Sequence, residues 1–207
     1  MRVIAFAIAL FWAGAAQAAD LTVSVRTPRG QPIADAVVMV EPAGGAAARP
    51  IRFDWAYRMA QQDMRFEPFV LIVPAGATVA FPNLDTVRHH VYSFSAPRPF
   101  EIKLYGKDES RSVRFDKPGV IAVGCNIHDR MLAFIRVVST PWAAKTDARG
   151  QARIRGAAGR ATLRVWHPYL RAPRNEVARA VDLPREGTAA EAVTAEVRAP
   201  PRRHHGY

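Results

Sequence analysis

Val120-Ile121-Ala122-Val123-Gly124-Cys125-Asn126-Ile127-His128-Asp129-Arg130-Met131-Leu132-Ala133-Phe134-Ile135-Arg136-Val137-Val138 is the stretch on which the reading of this chain turns. Two apolar runs rich in β-branched residues, 120–123 and 131–138, enclose a short polar segment. Runs of this length and composition read as strands. The segment between them is then a tight loop at one end of a sheet. It carries a C-x2-H-x2-M pattern, with Cys125 as the only cysteine of the 207 residues.

Outward from this loop, strand signals alternate with turns. Toward the N-terminus they lie at 69–73, 78–81, 90–95, 100–104 and 111–115. Pro74-Ala75-Gly76, Pro82-Asn83 and Lys117-Pro118-Gly119 punctuate them. Short strands at this spacing predict an all-β sandwich or barrel. Further strands are expected at 21–25 and 36–40, then at 152–154, 161–166, 177–183 and 192–197. A short helical turn is expected near 55–62. The Ala/Gly/Pro-rich stretch 42–50 reads as a linker.

The loop residues point to a metal. A thiolate, two imidazoles and a thioether form the ligand set of a blue copper centre, with the Met sulfur as a weak axial ligand. Cys125, His128 and Met131 sit close enough in sequence to wrap one ion. The second imidazole comes from His89 or His90, at the entry to an upstream strand. Zinc is the rival metal, but structural zinc sites are usually closed and dominated by Cys. Cys125 and His128 as nucleophile and base would need an orienting carboxylate, and none is evident. His167 reads as structural, Met59 and Met64 as packing, and His204 and His205 as part of a solvated tail.

The N-terminus has the three parts of a secretory signal: Met1-Arg2, the apolar run 3–13, and Ala16-Gln17-Ala18. Cleavage is expected after Ala18. The apolar run falls short of the roughly 20 residues that span a bilayer, and no later stretch reads as a transmembrane segment. An exported chain with one cysteine has no internal disulfide to form. A thiol in an oxidising compartment needs burial or ligation, which raises the weight on Cys125. The formal net charge of +11 is spread over scattered arginines. No zinc finger or basic helix is present, so nucleic acid is not an expected partner. An acidic protein partner, an anionic surface or an anionic ligand suits the charge, and so does a merely solvated arginine-rich surface.

The stretch Phe81-Pro82-Asn83-Leu84-Asp85-Thr86-Val87-Arg88-His89-His90-Val91, taken with the 125–131 loop, resembles the cupredoxins, most nearly the amicyanin type, over 66–138. The resemblance implies a Greek-key β-sandwich and one type 1 copper held by His89, Cys125, His128 and Met131, with His89 rather than His90 as the upstream ligand. It also implies electron exit through His128 toward a c-type cytochrome or a periplasmic dehydrogenase. In the family an Asn usually follows the first His and braces the ligand loops. Here His90 stands in that place, and Asn126 is the candidate substitute.

The flanks resemble a carboxypeptidase regulatory-like, or transthyretin-like, domain. The matching features are Gly30-Gln31-Pro32, Ala36-Val37-Val38 and Thr146-Asp147-Ala148-Arg149-Gly150. Their order implies a copper domain inserted in a small β-sandwich. The expected boundaries are a leader at 1–18, flanking parts at 19–48 and 139–198, a cupredoxin domain at 56–138 and a basic tail at 199–207. The whole is similar to exported proteins named for methylamine utilization. The resulting expectation is a monomeric periplasmic electron carrier. The alternatives are a copper-delivery protein without an electron-transfer role, or a cell-envelope binding module.

Overall fold

The computed structural model describes residues 19–45 and 50–199. The expected leader and the His204-His205 tail lie outside the described residues. Among the described residues the chain is almost all strand, and its helical element is a short 3-10 turn, Pro173–Asn175. No helix there is long and apolar enough to cross a membrane.

The middle of the chain forms two facing layers. One is a five-stranded sheet built from β5 (Val70–Pro74), β7 (His89–Ser93), β8 (Phe100–Tyr105), β10 (Gly119–Cys125) and β11 (Leu132–Val138), in the order β5-β11-β10-β7-β8. Strands β5 and β11 run parallel, and the other pairs are antiparallel. The other layer pairs β6 (Ala77–Pro82) with β9 (Ser110–Phe115), and β3 (Ala60–Gln62) with β4 (Arg65–Glu67). Parallel bridges Arg58–Ala80 and Gln61–Asn83 join β3 to β6.

Alternation along the strands builds the core between the layers. Ile121, Val123 and Cys125 of β10 are buried, as are Ala133, Ile135 and Val137 of β11 and Val79 and Phe81 of β6. These side chains belong to one apolar cluster.

The expected helical turn at 55–62 is not formed. The Met59 amide donates to the Ala80 carbonyl (2.9 Å), and the Ala80 amide to the Tyr57 carbonyl (3.0 Å). Sheet bonding has taken the backbone groups a helix would need. Met59 packs in the core as expected. Met64 does not, because it sits at the exposed tip of the β3–β4 hairpin.

Residues before and after this middle region share two further sheets. β1 (Asp20–Arg26) lies between β13 (Gln151–Arg155) and β16 (Thr188–Thr194). β2 (Val37–Pro42) lies between β12 (Ala143–Lys145) and β14 (Gly159–Trp166), with β15 (Glu176–Leu183) outside β14. Val23, Val25, Val38, Val40, Ile154 and Leu163 fill the space between these two sheets. Thr146 ties their connections together. Its hydroxyl donates to the Ile33 carbonyl (2.7 Å) and accepts from the Ala36 amide (2.9 Å). β16 begins at Thr188, ahead of the strand expected at 192–197, because it pairs in parallel with the whole of β1.

A third apolar cluster joins the two pairs of layers through Val37, Met39, Val70, Ile72, Val138, Ala143 and Trp166. Phe134 meets Trp166 edge to face at 5.9 Å. Arg136 of β11 reaches Glu176 (2.7 Å), and Glu176 also takes Arg164 (2.9 Å), which holds Glu41 (2.7 Å). Burial holds the Arg136 guanidinium below its ordinary pKa against the opposing pull of Glu176.

Candidate metal centre

Strand parity decides which side chains meet. On β10 the buried face carries Ile121, Val123 and then Cys125, so the thiol ends an apolar row. On β7 the buried positions are His89, Val91 and Ser93, while His90 and Tyr92 face outward. A shift of one residue along a strand exchanges faces, so His89 and His90 cannot both enter the site.

The structure brings together His89, Cys125 and His128, with one donor atom from each lying within 4.8 Å of the others. Cys125 Sγ is 3.7 Å from His89 Nδ1 and 3.6 Å from His128 Nδ1. Metal bonds of about 2.0 Å to nitrogen and 2.3 Å to sulfur, meeting at 120°, give separations of about 3.7 Å. The donor set therefore fits a metal ion with little rearrangement. His89 and Cys125 are buried and His128 is half-buried.

His90 is not part of this cluster. Its Nε2 turns to Glu101 Oε1 at 2.9 Å. The brace between the ligand loops is main-chain, from the Asn126 amide to the His90 carbonyl (3.1 Å). The Asn126 side chain is exposed. The 125–131 loop closes on itself: the Met131 amide donates to the His128 carbonyl (2.9 Å) and the Cys125 amide to the Met131 carbonyl (3.3 Å). Met131 is buried in the same apolar cluster as Cys125.

Two further residues shape the site. Asp85 Oδ2 lies 2.7 Å from His89 Nε2. Asn83, fully buried, donates from Nδ2 to the carbonyls of Val87 (2.8 Å) and Tyr105 (3.1 Å), and its Oδ1 accepts the Asp85 amide (2.9 Å). Asn83 thus shapes the 83–88 loop, and Asp85 holds the ring. Sequence reasoning singled out Asn83 only as part of a pattern and missed Asp85. Its one signal is a carboxylate four residues before a candidate ligand histidine.

Burial is the main influence on the His89 ring and lowers its pKa, while the Asp85 hydrogen bond and charge pull upward without cancelling it. The ring is held neutral, and a neutral ring keeps a lone pair for a metal. Tyr105, opposite His89 on β8, donates its hydroxyl to the Phe81 carbonyl (2.9 Å) and contacts Gln61, and burial raises its pKa.

No protein-family model matches this chain, and no curated protein matches it. Several solved structures of copper proteins are similar to part of it. A purple cupredoxin from Nitrosopumilus maritimus is 19% identical, covering 39% of this chain and 98% of its own, with a TM-score of 0.36. Amicyanin from Paracoccus versutus is 19% identical, covering 48% of this chain and 91% of its own, with a TM-score of 0.37. A copper-containing nitrite reductase from Thermus scotoductus SA-01 is 25% identical, covering 56% of this chain and 28% of its own, with a TM-score of 0.39.

Proposed function

We propose that this protein is an exported type 1 copper protein that carries single electrons between redox partners. The observation that carries the reading is the buried Cys125 thiol set 3.6–3.7 Å from two imidazole nitrogens. Copper, when bound, supplies a Cu(II)/Cu(I) couple in which a thiolate and two imidazoles set the potential.

The chain's own residues then have distinct tasks. Cys125 anchors the site to the core through β10. His89, fully buried and held from behind, limits rearrangement of the donors. His128 is the donor that reaches toward solvent and is the proposed route for electrons. Ile127 beside it is exposed, as are Leu84 and Val87 on the loop before His89. Such a surface suits transient docking of a c-type cytochrome or a periplasmic dehydrogenase. Met131 is the proposed axial ligand, supported by its burial beside Cys125 and by its backbone closure of the loop.

In this reading the middle layers are a cupredoxin domain inserted in a transthyretin-like sandwich. Support comes from β1 and β2 sharing sheets with β12 to β16 across the insertion. Export to the periplasm is supported by the leader pattern of residues 1–18.

The test is optical. Cu(II) is added to the purified metal-free protein and the visible spectrum recorded. An intense blue band that bleaches with ascorbate is expected, absent in Cys125→Ala and retained in His90→Ala. A colourless wild type after loading would sink the proposal. Blue protein that hands its copper quickly to a chelator, without fast self-exchange of electrons, would favour a delivery role.

A further inference from the structure

Asp85 lies in the loop between β6 and β7, with its side chain 11% exposed. It makes three contacts through two oxygens. Oδ2 meets His89 Nε2 at 2.7 Å and accepts the Met64 amide at 3.1 Å, and Oδ1 accepts the Asp63 amide at 2.6 Å. Asp63 and Met64 are the two central residues of the β3–β4 hairpin, and both have φ near +53°. Two residues at positive φ are the mark of a type I′ turn, which favours Asn and Gly. Met is poorly suited to that conformation. The Asp85 carboxylate meets both turn amides and so helps to hold the turn.

This geometry fixes more than a hairpin. An ionised carboxylate only accepts hydrogen bonds, so the proton at 2.7 Å belongs to His89 Nε2. Nδ1 then carries the lone pair, and it is Nδ1 that stands 3.7 Å from the Cys125 sulfur. Carboxylates in this position orient metal-bound histidines and raise their basicity. The contact is charge-assisted, and such bonds are stronger than neutral ones.

Resting on the copper reading above, we infer that Asp85 is a positioning residue. It locks His89 in the Nε2–H tautomer with Nδ1 toward Cys125. It also places a negative charge behind the ligand, which favours the more highly charged oxidation state of the bound metal and so lowers the reduction potential. The β3–β4 hairpin, distant in sequence from every ligand, becomes part of the metal site through its two amides.

Asp85→Asn tests the charge with little change of shape. Asparagine keeps two of the three contacts if its oxygen takes the Oδ2 position. Mutation of such a partner typically weakens metal binding 10- to 100-fold. Where that loss falls on Cu(II) alone, each tenfold raises the potential by about 59 mV. Glu101→Gln is the control, since it removes the same charge from beside His90, outside the ligand cluster.

A raised potential is expected in Asp85→Asn and little change in Glu101→Gln, with the blue band present in both. Equal potentials in Asp85→Asn and wild type, or equal shifts in the two variants, would overturn it while leaving the copper reading intact. A wild type that forms no blue centre would remove both. A second readout needs neither copper nor a variant. Ring nitrogen shifts of the metal-free wild type by NMR should show His89 protonated at Nε2, and an Nδ1–H tautomer would refute the inference even if Asp85→Asn failed to fold.

Discussion

Truncating Glu176 should loosen the joint between the two pairs of layers, and its cost can be reasoned from the contacts. Glu176 gives one oxygen to Arg136 (2.7 Å) and the other to Arg164 (2.9 Å), and it is 11% exposed against 16% for Arg136. Arg136 Nε is already a buried polar atom without a partner. In Glu176→Ala the guanidinium of Arg136 keeps its burial and loses its carboxylate, while Arg164 retains Glu41. Removing one member of a buried pair costs about 3–5 kcal/mol, because a charge is left uncompensated. The residual exposure of both groups argues for the lower end, about 3 kcal/mol. With a urea slope of roughly 2 kcal/mol per molar, the unfolding midpoint should fall by about 1.5 M. The double variant Arg136→Met/Glu176→Leu should recover most of that loss, since apolar replacement of a whole buried pair is often neutral or better. Urea titrations of the metal-free protein, followed by tryptophan fluorescence, measure both. A loss below about 1 kcal/mol in Glu176→Ala, or a double variant as unstable as the sum of the two single ones, would refute the reasoning.

Three further outcomes are expected. Met131→Leu should cost the metal-free protein less than about 1.5 kcal/mol, because the volume is nearly kept, yet should shift the potential of the copper-loaded form. An unchanged potential measured by redox titration would make Met131 a core residue only. Gly150 has φ +73°, and an added Cβ would lie 2.5 Å from the Val25 carbonyl oxygen. Gly150→Ala should therefore cost more than the roughly 1–2 kcal/mol of left-handed strain alone, and a melting temperature within a few degrees of wild type would contradict this. His167 is held neutral by burial, its pKa lowered, with Nδ1 accepting the Tyr169 amide at 3.2 Å. The unfolded chain then binds more protons below about pH 6.5, so stability is full above that pH and falls as the pH drops toward the lowered value. His89 contributes with the same sign. His167→Asn should lose less stability than wild type between pH 7 and pH 5, and equal losses in urea midpoint would count against it.

Much of the site was legible in the sequence because it is local. The C-x2-H-x2-M spacing puts three candidate donors on one short loop between two strands, and one turn of backbone suffices to gather Cys125 and His128. The choice of His89 over His90 was open on composition. It follows from parity once β7 is known to bury its odd-numbered residues, and that depends on which face the neighbouring layer covers. The 55–62 segment misled because its backbone bonding comes from β6, remote in sequence. Met64 misled because methionine reads as apolar packing wherever it falls, while here it sits on a turn.

The sequence by itself thus determined the all-β class, the strand spacing and the loop that brings a thiol and an imidazole together, since all of these arise from short-range pattern and covalent reach. The resemblance in spacing already pointed to His89; only the tertiary structure decided that the buried face of β7 carries it, which carboxylate stands behind it, and how the flanking strands close around the middle region. Those outcomes depend on burial and on hydrogen bonds between segments far apart in the chain, and no local pattern encodes which distant group will be there to accept a proton.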